Sequence, residues 1–118
     1  MHEMAIVQSI MDIVEQQAKM HRAKKVVAIS LEFGFLTAVV PQAVTFAFEV
    51  LSKDGIAEGA RLDITVVPLT VFCLECSRQY VLENYQPFCP VCSSPSIQIV
   101  AGKDEMRIVS LEVDGFEE

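Results

Sequence analysis

Four cysteines in two C-x-x-C pairs are the residues of this sequence best suited to chemistry. They are Cys73 and Cys76, then Cys89 and Cys92, and the 118 residues hold no other cysteine. Each pair can close a tight turn that aims two sulfurs at one point, and four thiolates in a tetrahedron suit Zn²⁺. A site closed by four protein ligands has no open position for a substrate. The sequence therefore predicts a structural zinc site made of these four cysteines.

Two other uses of the cysteines are a pair of disulfides and a rubredoxin-like iron site. Disulfides accompany export, and we expect no signal peptide, because the chain starts Met-His-Glu and its first basic residue is Lys19. Rubredoxin-type turns favour glycine after the second cysteine, where this chain has Ser77 and Ser93. Structural zinc is the preferred interpretation, and metal analysis would distinguish colourless zinc from red iron.

The first three residues offer a second kind of metal site. The amine of Met1, the backbone nitrogen of His2 and the His2 imidazole can form adjoining chelate rings that lie nearly in one plane. Square-planar nitrogen coordination suits Ni²⁺ and Cu²⁺, and Glu3 could complete the site through its amide nitrogen or its carboxylate. The other interpretation is an idle, frayed terminus that happens to carry a histidine.

Composition and charge argue against several classes of function. The chain carries 16 acidic and nine basic residues, a net charge of −7, and only Glu75, Arg78 and Glu83 are charged between Thr70 and Val100. Nucleic-acid binding needs clustered Lys and Arg, so we expect no nucleic-acid partner. No apolar run approaches the ~20 residues of a membrane span. Thiols kept for metal favour the cytoplasm, and the absence of a phosphate-binding or nucleophile motif predicts no catalytic residue and no enzyme.

The pattern of apolar residues predicts the elements that carry these sites. Apolar residues at helical spacing predict a helix from Met4 to about Met20. Alternation then predicts a strand over Val26 to Phe33, with Val27, Ile29, Leu31 and Phe33 on its buried face, ended by Gly34 at positive φ. A second helix is predicted to begin at Pro41, where a missing N–H costs little, and to end at Asp54-Gly55.

The second half of the chain is predicted to be mainly strands. Alternation predicts strands over Arg61 to Leu69 and Met106 to Val113, and short ribbon strands over Gln79 to Leu82 and Ser96 to Val100. The acidic stretch Asp114 to Glu118 is interpreted as a tail. The predicted fold class is α+β, with two helices on a small three-stranded mixed sheet and an inserted zinc-ribbon module. The predicted domains are residues 1–70 with 101–118, which carry the candidate N-terminal metal site, and residues 71–100, the zinc ribbon; the resemblance described next implies that the first of these domains binds nickel.

Taken together and in order, these motifs resemble the HypA family of nickel metallochaperones, which serve the maturation of [NiFe]-hydrogenases. The resemblance covers almost the whole chain. It is carried by Met1-His2-Glu3 opening a helix, Gly34, Pro41 ahead of the segment Val44 to Glu49, the segment Ala57 to Leu62, and the two cysteine pairs.

The resemblance implies a function and a set of partners. It implies that His2 binds Ni(II) with backbone nitrogens, that Met1 and Glu3 are candidate co-ligands, and that the four cysteines hold structural zinc. It also implies a HypB-type nickel GTPase and a [NiFe]-hydrogenase large subunit as partners, with urease maturation served by some relatives. Some relatives carry a further metal-binding side chain between the first strand and the second helix, where Leu36 to Val40 offer none. The alternative is a zinc-ribbon interaction adaptor without a metal-transfer role.

Overall fold

The structure is a computed structural model, and it describes residues 3–117. This part of the chain forms two α-helices, a short 3-10 turn and six β-strands. They are α1 Glu3–Met20, β1 Val26–Gly34, the turn Phe35–Thr37, α2 Pro41–Leu51, β2 Arg61–Val67, β3 Leu69–Cys73, β4 Arg78–Leu82, β5 Ile97–Ala101 and β6 Met106–Val113. The predicted α+β fold class, with two helices, small sheets and a four-cysteine module, is confirmed.

The described residues divide into two compact units. One comprises residues 3–31, 39–65 and 107–117, and the other comprises residues 32–38 and 66–106. The strands form two three-stranded sheets, one in the order β2-β1-β6 and the other in the order β4-β3-β5. The assignment of nickel binding to one domain and zinc binding to the other stays a prediction.

The two helices supply much of the buried core of the first unit. Helix α1 packs against α2, and each buries one stripe of apolar side chains spaced three or four residues apart, as expected for amphipathic helices. The buried residues are Val7, Ile10, Met11, Val14 and Ala18 on α1, and Val44, Ala47 and Phe48 on α2. Helix α2 begins at Pro41, as predicted, with Val40 as its extended N-cap.

Strand β1 is the central strand of its sheet, and its burial departs from simple alternation. Ile29, Leu31 and Phe33 are buried as predicted, whereas Val27 is 37% exposed, so its predicted place on the buried face is wrong. Val26 and Ala28 are buried instead. Buried residues on both faces of β1 mean that both faces are largely covered, and a simple alternating pattern does not describe such a strand.

Gly34 ends β1 for a different reason than its sequence context suggests. Its φ is −70° and its ψ is 147°, so the predicted positive φ is wrong. A Cβ at this position would collide with Oε1 of Glu105 and lie 2.9 Å from the carbonyl carbon of Gly102. Within residues 34–38 the residue with a left-handed backbone is Ala38, with φ 58°. Glycine is required at position 34 by the close approach of this segment, and the turn itself is made four residues later.

The second unit is built on an antiparallel ribbon. Strand β3 pairs with β4 on one side and with β5 on the other. Leu69, Val71 and Leu82 form a small buried cluster, against which Tyr80, Ile97 and Ile99 pack.

The predicted single strand from Arg61 to Leu69 is wrong in one respect, because the chain leaves β2 at Val67 and begins β3 at Leu69. Pro68 lies at this break, where a residue without an N–H can be accommodated.

The acidic stretch after β6 is not a loose tail over its described length. The amide of Asp114 donates to the carbonyl of Lys25 (2.8 Å), and the amide of Glu117 donates to the carbonyl of Arg22 (2.7 Å). Phe116 forms an isolated antiparallel bridge with Ala23. The interpretation as a tail is therefore wrong for residues 114–117, since backbone hydrogen bonds fix this segment to the turn after α1.

Candidate metal centre

The four cysteines converge at one end of the ribbon. Their sulfurs all lie within 4.8 Å of one another, with 3.6 Å between Sγ of Cys73 and Cys92 and 3.9 Å between Sγ of Cys76 and Cys89. A tetrahedron of sulfurs about 2.3 Å from a central zinc ion has edges of about 3.8 Å. The side chains are free thiols, and Cys73 and Cys89 are fully buried. The spacing fits one tetrahedral metal ion.

Two tight turns of the same form aim these sulfurs. Strand β3 ends at Cys73, and the next residues turn so that the amide of Ser77 donates to the carbonyl of Cys73 (2.8 Å). In the second turn the amide of Ser93 donates to the carbonyl of Cys89 (2.9 Å). Ser77 and Ser93 both adopt the left-handed conformation, with φ of 56° and 62°. The residue after the second cysteine thus closes each turn, a position at which glycine is conformationally easier.

Backbone amides within the turns point at the first sulfur of each pair. The amide of Cys76 donates to Sγ of Cys73 (3.4 Å), and the amides of Val91 and Cys92 donate to Sγ of Cys89 (3.4 and 3.5 Å). The donors to Sγ of Cys89 are the amides two and three residues later, so no N–H is needed at position 90, where the chain has Pro90. Amide donors stabilise a thiolate and orient it toward a metal ion.

The thiols differ in their affinity for protons. Burial raises the pKa of Cys89, but the amides of Cys92 and Val91 outweigh burial and bring its pKa to about 7. At Cys92 a backbone contact with Ser94 lowers the pKa, whereas the Cys76 thiol, burial and the other sulfurs raise it to about 12. Sulfurs this close compete for negative charge, and a divalent cation among them would relieve that competition.

Two further residues that contact the cysteine turns, Ser94 and Tyr80, were not predicted from the sequence. The buried Ser94 accepts from the amide of Cys89 through its carbonyl (2.8 Å) and from the amide of Ser96 through its hydroxyl (3.1 Å). A hydrogen bond with Cys76, helped by burial, raises the pKa of Tyr80 to about 12. Tyr80 follows Cys76 by four residues along the hairpin, and no spacing rule for metal ligands would single it out.

The predicted nickel ligands fall at the edge of the described chain. Met1 and His2 lie outside the described residues. Glu3 is the first residue of α1, is half-buried, and stands in the first turn. Between residues 3 and 117, the four cysteines are the one group of three or more potential metal-binding side chains that lie close together. The second histidine, His21, is exposed just after α1.

No helix within residues 3–117 is long and apolar enough to cross a membrane.

The fold and the cysteine cluster define a small metal-binding protein in which a two-helix α+β unit is joined to a four-cysteine ribbon. A family model described as "Hydrogenase/urease nickel incorporation, metallochaperone, hypA" matches residues 1–113. The chain belongs to the HypA family, a family of nickel metallochaperones of hydrogenase maturation.

Individual relatives support the same assignment. The chain is 41% identical to hydrogenase maturation factor HypA 2 of Bradyrhizobium diazoefficiens and 40% identical to HypA of Geobacter metallireducens, in each case over 97% of this chain and 100% of the relative. Its fold is similar to the solution structure of the nickel metallochaperone HypA from Helicobacter pylori. That comparison gives a TM-score of 0.63 and 28% identity over 96% of this chain and 97% of the other.

Proposed function

We propose that this protein carries Ni(II) on its N-terminal segment and delivers it to a [NiFe]-hydrogenase large subunit during maturation. The observation that carries the proposal is the family match, which begins at residue 1 and includes Met1, His2 and Glu3. Nickel is the cargo, and the protein acts as a carrier and not as an enzyme. Its site of action is the cytoplasm, where glutathione and thioredoxin would keep the four cysteines reduced.

The proposed nickel ligands are nitrogens of the first residues. The amine of Met1, the amide nitrogen and imidazole of His2, and the amide nitrogen or carboxylate of Glu3 can surround a square-planar ion. Glu3 opens α1, so the ligands would lie beside the first turn of a helix whose next residues are anchored by Val7 and Ile10. A planar site is open above and below its plane. An acceptor ligand could therefore attack the ion before the donor ligands leave, without unfolding of the core.

The proposed resident ion of the ribbon is zinc, held by Cys73, Cys76, Cys89 and Cys92. Zinc would contribute folding energy to a module whose buried apolar cluster is small, since among residues 3–117 it consists of Leu69, Val71 and Leu82. With four protein ligands the ion has no vacant position, so its role is structural.

The proposed partners are a HypB-type nickel GTPase, the hydrogenase large subunit and, in a urease-producing cell, urease maturation factors. The support is the family description, which names both hydrogenase and urease, and the hydrogenase maturation factors among the relatives. No nucleic-acid or membrane partner is proposed for a chain with a net charge of −7.

Nickel calorimetry on protein that starts at Met1 without a tag tests this function. His2→Ala should abolish tight nickel binding and leave the fold and zinc content unchanged. His21→Ala is the matched control, since it removes the chain's other imidazole from an exposed position, and it should bind nickel normally. Tight nickel binding by the His2→Ala variant would overturn the N-terminal site, whereas no tight binding by the unsubstituted protein would favour the adaptor without metal transfer.

A further inference from the structure

An exposed groove lies between α2 and β2 in the first unit. It has a volume of about 400 Å³, and its walls include Pro41, Thr45, Phe46, Glu49, Leu62 and Ile64. Phe46 is 66% exposed although it is a large apolar residue in the middle of a helix. Leu62 and Ile64 are half-buried and alternate along β2 with the exposed Arg61 and Asp63. The groove therefore has an apolar lining formed by one helix face and one strand face.

Strand β2 is an edge strand among the described residues, since the sheet order is β2-β1-β6. Proteins commonly block exposed edges with charged side chains, especially lysine, or with proline or bulges. Residues 61–67 contain no lysine and no proline, and the charged Arg61 and Asp63 alternate with Leu62 and Ile64, so they lie on the other face of the strand. A strand added along this edge would lie about 4.8 Å from β2 and place every second side chain on the face of Leu62 and Ile64. Those side chains would enter the groove.

The charge of the groove indicates which side chains a strand docked there would carry. Glu49 is exposed on the groove wall, and across residues 3–117 it has no hydrogen-bond or ion-pair partner. Arg61, the cation of β2, is already held by Asp63 at 3.1 Å and by Glu112 at 4.0 Å. An apolar wall beside a single unpaired carboxylate is complementary to an apolar side chain next to a Lys or Arg.

We propose that the α2–β2 groove docks an extended basic segment of a partner protein. The segment pairs with the edge of β2, packs an apolar side chain against Phe46, and places a Lys or Arg beside Glu49. A second copy of this chain is the less suitable occupant. Its own β2 would present Leu62 and Ile64 to the groove, but its cation, Arg61, is held by Asp63 and Glu112. Two chains of net charge −7 also repel each other. The inference does not depend on nickel binding.

The test is a nuclear magnetic resonance titration of the zinc-loaded, full-length protein. The probe is a synthetic threonine-rich ten-residue peptide in which a leucine and a lysine stand two positions apart. Amide shifts should be largest in residues 61–65 and along the exposed face of α2. A peptide with glutamate in place of lysine should bind about two- to fivefold more weakly, which is the effect expected for the loss of one exposed ion pair.

Two substitutions of exposed residues connect binding to the groove. Phe46→Ser should weaken binding about tenfold through lost apolar contact, and Glu49→Gln should remove the preference for lysine over glutamate. Val81→Ser and Glu83→Gln are matched controls, since both residues are exposed in the other unit, and they should bind the peptide normally.

Three outcomes would overturn the proposal. One is no binding of the lysine peptide at millimolar concentration. Another is binding at a different place, shown by amide shifts outside the groove or by unchanged affinity in both groove variants. The third is sedimentation showing a dimer that Phe46→Ser dissociates, which would identify a second copy as the occupant.

Discussion

The amide of Gly34 donates a 2.8 Å hydrogen bond to the carbonyl of Glu105, and the Glu105 side chain occupies the space that a Cβ on residue 34 would need. The same side chain accepts from the amide of Gly102 through Oε2 (2.9 Å). The amide of Leu36 donates to the carbonyl of Gly102 (2.9 Å). Residues 34–36 and 102–105 thus form one close-packed backbone junction within the second unit.

Substitution of Gly34 by Ala should disrupt this junction. The added Cβ must displace Glu105 or the backbone of Gly102, so we expect a loss of about 2 kcal/mol in the free energy of unfolding. Gly55→Ala is the matched control, because its Cβ would meet only the carbonyl of Ser52 at 3.3 Å. Urea unfolding measures the free energy of unfolding of both variants. Equal stability of Gly34→Ala and the parent protein would show that the junction adjusts freely.

The left-handed serines of the cysteine turns lead to a second prediction. Ser77→Gly and Ser93→Gly should each raise the unfolding free energy of the zinc-loaded ribbon by about 0.5–1 kcal/mol, since glycine adopts this conformation without strain. Ser77→Ala keeps the Cβ and should bring no gain. Thermal unfolding at saturating zinc provides the comparison. A loss of stability in both glycine variants would mean that the serine side chains stabilise the ribbon by more than their left-handed backbone conformation costs.

Loss of one cysteine should release zinc and unfold the ribbon selectively. Cys76→Ala is expected to lose stoichiometric zinc and to disorder roughly residues 71–100, while the helices retain their far-ultraviolet circular dichroism. Leu74→Ala is the control, since Leu74 is an exposed residue of the same turn, and it should keep its zinc. Zinc content is measured by elemental analysis. Full zinc content in Cys76→Ala would contradict the four-cysteine site.

Acid should release nickel before zinc. Nickel binding at the N-terminus needs a neutral amine, with an ordinary pKa of about 8, and a neutral imidazole, of about 6.5. Both groups gain protons as the pH falls, and these protons compete with nickel for the ligands, so nickel binding weakens below about pH 8 and is lost below about pH 6.5. Lowering the pH from ~7.5 to ~6 should remove nickel and leave zinc bound. Simultaneous release of both metals would indicate a single cooperative site.

The sequence predicted the parts of this molecule that depend on local patterns. Helix spacing, Pro41 at the start of α2 and the cysteine spacing are local signals, and the structure confirms the helices and the cysteine cluster. Gly34 and Val27 were interpreted wrongly for a shared physical reason. Their environments depend on segments distant in sequence: Glu105 approaches Gly34, and the exposure of Val27 depends on which segments cover each face of β1. A local pattern contains no information about such contacts.

The same distinction applies to the metal centre. Cysteine spacing identified the four sulfurs, whereas Tyr80 and Ser94 contribute through the return path of the hairpin and the loop. The α2–β2 groove also could not be predicted from the sequence. Phe46 belongs to an apolar stretch that predicts a helix, but its exposure depends on where β2 lies beside α2.

The most direct test of the account is nickel binding by protein with one or two residues added before Met1. The addition keeps the His2 imidazole but moves the free amine away from the proposed chelate rings. Calorimetry and absorption spectroscopy should show a yellow, diamagnetic Ni(II) complex for the protein that starts at Met1. The extended protein should bind more weakly or give a six-coordinate, paramagnetic complex. Unchanged affinity with an unchanged spectrum would contradict the account, since the amine of Met1 would then not be a nickel ligand.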